Sequence, residues 1–196
     1  MIKVIMFDFG GVLAEEGFRE GLKAIAEKNG LDPDLFYETA KELIYESGYV
    51  TGRSDESTYW SILREKTGIT GSNEELRQEI LKRFALREKM IRVVEKIRSG
   101  FITAILSDRT NWLDEINEKK PFSYLFDFIF NSYKLKKSKR DPSVFRDVST
   151  AMSLKPDEVF FVDDNSANIK NASDAGLRMV HFTDMEGFER NMDAIF

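Results

Sequence analysis

Short runs of consecutive apolar residues recur along this chain, and helical patterns separate them. A strand that is apolar on both sides must be covered on both sides, as strands are in a parallel sheet between layers of helices. Strands that alternate with helices indicate an α/β fold with right-handed crossovers. The runs that predict strands are IKVIMFDF (2–9), FITAILSD (101–108), FDFIFNS (126–132), EVFFVDD (158–164) and RMVHFT (178–183).

Residues 15–90 interrupt this alternation, because they carry helical patterns and no convincing strand. The chain has 196 residues, which is long enough for one substantial core with an insertion. We therefore predict a helical cap domain of residues 15–90, inserted into a core domain of residues 1–14 and 91–196.

Local signals mark several helix boundaries. Ser72 and Glu75 have the spacing of a capping box at the start of a helix in the insertion. In the core, Asp141 is predicted to be an N-cap and Pro142 the first helical residue. Gly176 is predicted to end a later helix in the left-handed conformation.

The absence of cysteine and the presence of one histidine, His181, exclude several kinds of site. Disulfides and cysteine-ligated metals are impossible, and a catalytic triad or a multi-histidine metal centre would have to be built around His181. The net charge of −5 gives no reason to expect nucleic-acid binding. No apolar stretch reaches the roughly 20 residues of a membrane span. No signal peptide is visible, so we predict a cytoplasmic protein and leave its oligomeric state open.

Polar side chains stand where the predicted strands end. Ligands of an open parallel sheet bind at the carboxyl ends of its strands, so these side chains are expected to share one edge. They are Asp8 after the first strand, Ser107 and Asp108 after the second, Lys139 in a basic loop after the third, and Asp163 and Asp164 after the fourth.

Several carboxylates at one edge repel one another unless a cation lies between them. Carboxylates without sulfur or imidazole suit Mg²⁺, which shares its coordination shell with phosphate. Ser107 and Lys139 are suitable partners for phosphate oxygens, and Asp8 can attack phosphorus to form an aspartyl-phosphate. A structural interpretation stays open, because an Asp at a strand end is commonly a turn residue, and Asp163 with Asp164 could cap the following helix.

Four segments, in this order, resemble the motifs of the haloacid dehalogenase (HAD) superfamily, over essentially the full chain. They are FDFGGVL, ILSD, SKRDPSVF and VFFVDDNSANIKNASDAG. The resemblance implies a Rossmann-like core with a parallel sheet of order 5-4-1-2-3 and a helical cap between the first two motifs. Within the cap, YVTGRSDESTYWSIL is similar to the branch that contains epoxide hydrolase N-terminal phosphatase domains and bacterial sugar-phosphate phosphatases.

The same resemblance implies a Mg²⁺-dependent phosphatase of small phosphorylated metabolites, in which the cap sets specificity. The residues it implies in catalysis are Asp8 as nucleophile, Ser107 and Lys139; those in phosphate binding are Ser107, Asp108 and Lys139; those in metal binding are Asp8, the Gly10 carbonyl, Asp164 directly and Asp163 in support.

Gly10 departs from the family pattern, since most phosphatases of the superfamily carry there an Asp that acts as general acid and base. Such help contributes typically about 10²–10⁴-fold, so its loss leaves three possibilities. The substrate has a better leaving group, such as a sugar 1-phosphate or an acyl phosphate; Glu15 or Glu16 supplies the proton; or the protein binds phosphorylated ligands with weak or no activity. Active phosphatases of the same branch share the Asp-x-Gly form, which favours activity.

A metal-independent 2-haloacid dehalogenase is a further alternative, because those enzymes also lack the second Asp. They carry serine and asparagine where this chain has Asp163 and Asp164. Two adjacent acids would repel the carboxylate of a haloacid, so phosphate transfer ranks above dehalogenation.

Several neighbouring residues raise further questions. Asp108 stands where asparagine is usual, and Lys136 or Lys137 could take the role given to Lys139. Arg140, where proline is common, either reaches the phosphate or faces solvent. Four cap aromatics are expected to hold the helices together rather than to stack on a substrate, and the histidine is expected to be structural; these residues are Tyr45, Tyr49, Tyr59, Trp60 and His181.

Overall fold

Five parallel strands form one sheet in the computed structural model, which describes residues 1–193 and the side chains of residues 1–190. The strand order is β3-β2-β1-β4-β5, which is the predicted order read from the opposite edge, so that prediction is confirmed. Each predicted run contains one strand: β1 Val4–Phe7, β2 Ile102–Ser107, β3 Phe128–Asn131, β4 Val159–Asp163 and β5 Arg178–His181.

Successive residues of β1 are buried on opposite faces of the sheet. Ile5 and Phe7 belong to one hydrophobic cluster, while Val4 and Met6 belong to a second cluster on the other face. Because side chains alternate between the two faces of a strand, burial on both faces requires an apolar residue at every position. This is the physical reason for the uninterrupted apolar runs in the sequence.

Helices cover both faces of the sheet and make up the insertion. None of the helices in the described residues has the length and hydropathy needed to cross a bilayer. Gly176, which follows α9, has a φ of +94°, as predicted for a left-handed helix end. The helices are α1 Gly17–Lys28, α2 Pro33–Glu46, α3 Glu56–Thr67, α4 Asn73–Leu81, α5 Glu88–Ile97, α6 Trp112–Lys119, α7 Ser132–Leu135, α8 Ser143–Ala151, α9 Ser166–Asp174 and α10 Met185–Asp193.

Helices α1 to α4 occupy the predicted cap and share a hydrophobic cluster with one face of the sheet. That cluster contains Phe7 and Ile105 from the strands together with Leu22 and Trp60 from the insertion. The predicted boundary at residue 90 falls inside α5, which begins at Glu88. The division into a core domain and a cap domain otherwise stays a prediction.

The capping signals are confirmed at one helix and shifted by one residue at another. At α4, the Ser72 hydroxyl accepts from the Glu75 N–H, and the Glu75 carboxylate accepts from the Ser72 N–H. The helix predicted to start at Pro142 begins instead at Ser143, so Pro142 is the N-cap and the N-cap assignment of Asp141 is wrong. The Asp141 carboxylate nevertheless accepts from the Ser143 N–H (3.0 Å), because an Asp side chain reaches the backbone two residues on.

Candidate active site

The carboxyl ends of the central strands bring three aspartates together. Asp8 follows β1 directly, and its backbone N–H donates to the Val162 carbonyl of β4 (2.8 Å). Phe7 pairs with Val162, so Asp8 lies beside Asp163 at the next position. Oxygens of Asp8, Asp163 and Asp164 all lie within 4.8 Å of one another. Oxygen ligands at this spacing can hold one divalent cation.

The three aspartates differ in exposure and in acidity. Asp163 is fully buried, Asp8 is 7% exposed, and Asp164 is exposed. Partial burial, followed by the negative charges of Asp8 and Asp163, raises the pKa of Asp164 to about 7. Burial also raises the pKa of Asp163, although Lys139 opposes that effect. Carboxylates that resist ionisation in this way gain most when a cation replaces the proton.

Lys139 is the cation that the fold itself brings to this cluster. Its Nζ lies 2.8 Å from Asp8 Oδ1 and 2.6 Å from Asp163 Oδ2, with the lysine side chain almost completely buried. Burial works to lower the pKa of Lys139, but Asp163 and Asp8 outweigh burial and raise that pKa, so the ammonium is retained. The two alternative lysines lie elsewhere: Lys136 donates to the Gly52 carbonyl, and Lys137 pairs with Asp147.

Asp163 and Asp164 are hydrogen-bonded very differently. The Asp163 carboxylate accepts from Lys139, from the Asn165 N–H (2.7 Å) and from the Asn168 amide (3.1 and 3.2 Å). The Asp164 carboxylate accepts no hydrogen bond from any residue that the structure describes. Asp164 is therefore the carboxylate with free oxygens, and Asp163 is the one whose oxygens are occupied.

Two residues fix the position of Asp164. Gly11 has a φ of +84°, and a Cβ on it would lie 2.0 Å from Asp164 Oδ2, so only glycine leaves room for that carboxylate. His181 Nε2 lies 2.9 Å from the Asp164 carbonyl oxygen and donates to it when Nε2 carries the proton. This contact with the backbone agrees with the expectation that His181 is structural. It also places His181 next to the fourth motif.

Ser107 ends β2 with a buried hydroxyl that has no hydrogen-bond partner among the described residues. A buried hydroxyl without a partner costs free energy, about 1–3 kcal/mol. An anion that reached this hydroxyl would remove that cost, but Ser107 is fully buried and does not line the cavity described below, so its contact with phosphate stays a prediction.

The Asp108 carboxylate links three parts of the structure. Its Oδ1 accepts from the Ser132 hydroxyl (2.5 Å) and from the Lys139 N–H (2.9 Å), and its Oδ2 accepts from the Tyr45 hydroxyl (3.0 Å). Tyr45 lies on α2 of the insertion, so this carboxylate ties the insertion to the sheet edge. The side chain already accepts from three donors and carries a negative charge, so it is poorly suited to contact a phosphate directly.

Arg109 fills the space beside Gly10. A Cβ on Gly10 would lie only 1.8 Å from Arg109 Nη2. That same nitrogen donates to both carboxylate oxygens of Glu16, at 3.0 and 2.9 Å. The guanidinium also lies near the rings of Phe18 (5.9 Å) and Phe84 (5.2 Å). The smallness of Gly10, rather than a need for positive φ, is what the structure uses at this position.

A cavity of about 430 Å³ opens from the aspartate cluster toward α1 and α2. Its lining includes Asp8 and Asp164 from the sheet edge and Arg19 and Lys41 from α1 and α2. This volume accommodates a small metabolite. The mixture of acidic, basic and aromatic residues suits a polar, charged ligand.

Comparison with protein families matches residues 5–182 to haloacid dehalogenase-like hydrolases. The chain belongs to this family. Among curated relatives of this HAD-like hydrolase, bifunctional epoxide hydrolase 2 of Rattus norvegicus is 28% identical over 105 residues, which are 50% of this chain and 19% of the relative. The chain thus spans about a fifth of the length of that relative. D-ribitol-5-phosphate phosphatase of Bacteroides thetaiotaomicron is 26% identical over 187 residues, with 90% of each chain covered.

Solved structures share the fold of this HAD-like hydrolase. A HAD family enzyme from Bacteroides thetaiotaomicron, solved in complex with magnesium and inorganic phosphate, superposes with a TM-score of 0.75 at 22% identity, covering 96% of this chain and 99% of that chain. An L-2-haloacid dehalogenase from Xanthobacter autotrophicus superposes with a TM-score of 0.71 at 16% identity, covering 99% and 83%. One fold therefore accommodates both kinds of enzyme, and the choice between them depends on the site residues.

The structure also shows where the two glutamates considered as proton donors and Arg140 lie in this HAD-like hydrolase. Glu15 pairs with Arg87 (3.0 Å) and is more than half exposed, whereas Glu16 lines the cavity. Arg140 is not among the residues that line the cavity. Its guanidinium donates two hydrogen bonds to Glu42 of α2, at 2.8 Å each, and lies over the Tyr45 ring.

The cap aromatics divide into two groups. Tyr49, Tyr59 and Trp60 are fully buried and pack on one another and on Trp112, as expected for residues that hold helices together. Tyr45 also packs against the hydrophobic cluster, but in addition it lines the cavity and donates to Asp108, a contact that the expectation did not include.

Arg109 was missed by reasoning from the sequence. It directly follows Asp108 in the segment ILSDRT, at the edge where ligands bind, and that position was the available signal. Nothing local indicates that its side chain occupies the space next to Gly10, which lies almost one hundred residues earlier.

Proposed function

We propose that this HAD-like hydrolase is a Mg²⁺-dependent phosphatase of small phosphorylated metabolites that works through an aspartyl-phosphate on Asp8. The observation that carries the proposal is the cluster of Asp8, Asp163 and Asp164 with Lys139 in contact with two of them. A divalent cation would bring this cluster close to neutrality, which allows an anionic phosphate to approach. The relative that acts on D-ribitol 5-phosphate supports a small phosphorylated substrate.

Asp8 suits the role of nucleophile because its two oxygens are in different environments. Oδ1 contacts Lys139 at 2.8 Å, while Oδ2 accepts no hydrogen bond from the described part of the chain. Lys139 thereby fixes the orientation of the carboxylate and leaves one oxygen free to attack phosphorus. Attack forms a bond between an Asp8 oxygen and phosphorus and breaks the ester bond, which releases the leaving group with its electron pair. Water then attacks the aspartyl-phosphate, which releases inorganic phosphate and regenerates the Asp8 carboxylate.

The donor set fits Mg²⁺, since it offers carboxylate oxygens without sulfur or imidazole. Asp8, Asp164 and the Gly10 carbonyl would hold the ion, and Asp163 would support it because its oxygens are already hydrogen-bonded. When bound, the ion would supply charge neutralisation and polarisation of the phosphoryl group.

The phosphate would be bound by Ser107 and Lys139. The Ser107 hydroxyl has a hydrogen bond to give, and Lys139 supplies the positive charge. The contribution predicted for Asp108 would come from its backbone, because its carboxylate already accepts from three donors. With Gly10 in place of an acid, substrates with good leaving groups, such as sugar 1-phosphates, are expected to be preferred over sugar 6-phosphates.

Hydrolysis of 4-nitrophenyl phosphate tests the proposal. We expect turnover with Mg²⁺, loss of turnover in EDTA, and a loss of at least about 10³-fold in Asp8→Asn, since the amide is not a nucleophile. Asp147→Asn, which changes an exposed aspartate on α8, is the matched control and should retain wild-type activity. Equal rates for wild type and Asp8→Asn would show that Asp8 is not the nucleophile.

A screen of phosphorylated metabolites with and without Mg²⁺ separates the proposal from its alternatives. Binding of Mg²⁺ and phosphate without release of phosphate from any substrate would indicate a non-catalytic protein that binds phosphorylated ligands. Chloride release from a 2-haloacid that EDTA leaves unchanged would indicate a dehalogenase. Faster release of phosphate from sugar 1-phosphates than from sugar 6-phosphates would support the preference for good leaving groups.

A further inference from the structure

Arg109 presents unused hydrogen-bond donors beside the candidate active site. All its hydrogen bonds to described residues leave from Nη2 and end on Glu16. Nε is buried without an acceptor and is therefore closed to a ligand, whereas Nη1 donates to no described residue and is not fully buried. The side chain is 15% exposed and lines the same cavity as Asp8 and Asp164. A half-satisfied guanidinium at the wall of a cavity is arranged to receive an anionic oxygen.

Gly10 and Arg109 depend on each other for space. Any side chain at position 10 would begin 1.8 Å from Nη2, so an acid at position 10 and Arg109 in its present place are mutually exclusive. The chain has therefore placed a fixed positive charge in the space beside position 10. The aromatic rings of Phe18 and Phe84 flank this charge, and Glu16 holds one end of it.

Arg109 lines the same cavity as Asp8, and its Nη2 lies beside Gly10, two residues after Asp8, which indicates the part of a substrate it would meet. In phosphoryl transfer the attacking and leaving oxygens lie roughly in line with phosphorus. With Asp8 at the sheet edge, the leaving oxygen faces the cavity, whose wall includes Arg109 and Phe18 of α1. Both carboxylate oxygens of Glu16 accept hydrogen bonds from Nη2. The group on this wall that can still donate to a substrate is therefore the Arg109 guanidinium.

We propose that Arg109 is a catalytic residue that stabilises the leaving oxygen of the substrate by charge and hydrogen bonding, in place of a general acid. This inference rests on the proposed phosphatase function. In the step concerned, an Asp8 oxygen forms a bond to phosphorus, the phosphorus–oxygen ester bond breaks, and its electron pair stays on the leaving oxygen. That oxygen departs as an anion paired with Arg109, which keeps its own protons, and takes a proton from water on release.

A guanidinium does not give up a proton at physiological pH, so it helps most when the leaving group can exist as an anion. This requirement defines the substrate class: phosphates of acidic hydroxyl groups, such as anomeric, enolic or phenolic oxygens, and acyl phosphates. Simple alkyl phosphates leave as strongly basic alkoxides and fall outside that class. Glu16 acts in this scheme as a positioning residue that orients the Arg109 side chain.

The test compares kcat/KM for two aryl phosphates with Mg²⁺ present. Phenyl phosphate has a leaving group with a pKa of about 10, similar to tyrosine, whereas 2,4-dinitrophenyl phosphate has a far more acidic one. In Arg109→Gln we expect a loss of about 10²–10³-fold for phenyl phosphate, as for removal of one transition-state donor. For the dinitrophenyl ester, which needs little stabilisation, we expect a loss below about 10-fold. Arg146→Gln, exposed on α8, is the control and should leave both rates unchanged.

Two further variants separate the effect of the charge from that of proton donation, and the second does not depend on the folding of Arg109→Gln. Arg109→Lys retains the positive charge and should lose less on phenyl phosphate than Arg109→Gln. The double variant Gly10→Asp with Arg109→Ala removes the clash and supplies a proton donor, and should recover part of the phenyl phosphate rate. Gly10→Asp alone must displace Arg109 to make room, so we expect it to hydrolyse phenyl phosphate no faster than the wild type.

The outcomes separate this inference from the proposed function. Equal losses on both esters in Arg109→Gln would overturn the role at the leaving oxygen while leaving the phosphatase proposal intact. Equal losses in Arg109→Lys and Arg109→Gln would overturn the electrostatic explanation in the same way. Failure of the wild type to hydrolyse either ester with Mg²⁺ would refute the proposed function, and this inference with it.

Discussion

Lys139 places one positive charge in the protein interior between the carboxylates of Asp8 and Asp163. Removing charges from water costs several kcal/mol per ion, and this cost is offset only when every charge has its partners. Asp163 completes its own set with hydrogen bonds from Asn165 and Asn168. At the scale of single residues, each buried charge of the site is therefore stabilised by the others, and the loss of any one leaves its partners without compensation.

Replacement of Lys139 by Met keeps the side-chain volume but leaves Asp8 and Asp163 together without their cation. We expect the free energy of unfolding of the metal-free protein at pH 8 to fall by about 3–5 kcal/mol. The loss should shrink toward pH 5, because carboxylates with raised pKa values then take up protons and stop repelling each other. Chemical denaturation at both pH values measures this effect. Lys137→Met removes an exposed pair with Asp147 and should cost less than about 1 kcal/mol.

If Lys139→Met lowers the free energy of unfolding equally at pH 5 and pH 8, repulsion between the carboxylates does not contribute to the loss. Such a result would mean that the lost hydrogen bonds of the ammonium group, rather than repulsion between the carboxylates, account for the destabilisation.

At the scale of elements, α2 is the helix that fastens the insertion to the sheet edge. Glu42 and Tyr45 lie one turn apart on it; Glu42 binds Arg140, and Tyr45 binds Asp108. Burial, followed by the charge of Asp108, raises the pKa of Tyr45, so its hydroxyl stays protonated and donates. The Arg140 guanidinium lies 3.6 Å from the centre of the Tyr45 ring, which joins the two contacts into one unit.

Tyr45→Phe removes the hydroxyl that donates to Asp108 and leaves the ring in place. The Asp108 carboxylate keeps its donors from Ser132 and Lys139, so we expect a modest loss of about 0.5–1.5 kcal/mol. The change should appear as faster hydrogen exchange of the α2 amides than of the strand amides. Tyr124→Phe, at a tyrosine 60% exposed, is the control. Unchanged exchange in α2 would show that this hydrogen bond does not hold the helix.

At the scale of the whole molecule, the aspartate cluster lies at the sheet edge next to the insertion, and its three carboxylates exceed the single positive charge of Lys139 when no metal ion is bound. The pKa of Asp164, raised to about 7 in the folded protein, exceeds its ordinary value of 3.8. At a pH between 3.8 and about 7, Asp164 is protonated in the folded state and ionised in the unfolded state. Asp164 therefore lowers the stability of the metal-free protein as the pH rises from about 4 to 7.

Mg²⁺ should reverse this effect, because it competes with protons for the same oxygens. We expect the difference in melting temperature between protein with Mg²⁺ and protein in EDTA to be small at pH 5 and to grow through pH 7. At a concentration one hundred times Kd, the ion should stabilise the protein by about 2.7 kcal/mol. Asp164→Asn should greatly reduce this difference at both pH values. A difference that is independent of pH would contradict coupled binding of the ion and release of protons.

The sequence alone was sufficient to predict the five strands, the start of α4, the left-handed turn after α9 and the residues that end the strands. Apolar runs report burial on both faces of a sheet, and a polar residue after such a run must lie at the carboxyl edge. The sequence therefore predicted Asp8 and Asp163 at one edge, with Lys136 and Lys137 as alternatives to Lys139, and the structure places Lys139 in contact with both aspartates. The one-residue error at Pro142 arose because the fixed φ of proline suits both the N-cap seen here and the first helical position.

Only the tertiary structure decided which side chains from distant segments share the remaining space. The Arg109 side chain beside Gly10, the Tyr45 hydroxyl on Asp108 and the contact of His181 with the Asp164 carbonyl each depend on how separate elements pack. The spacing of nearby residues predicts hydrophobic periodicity, helix caps and strand ends, because those features depend on local backbone geometry. The direction of a long side chain depends on which volume its neighbours leave empty, and that volume exists only once the chain has folded.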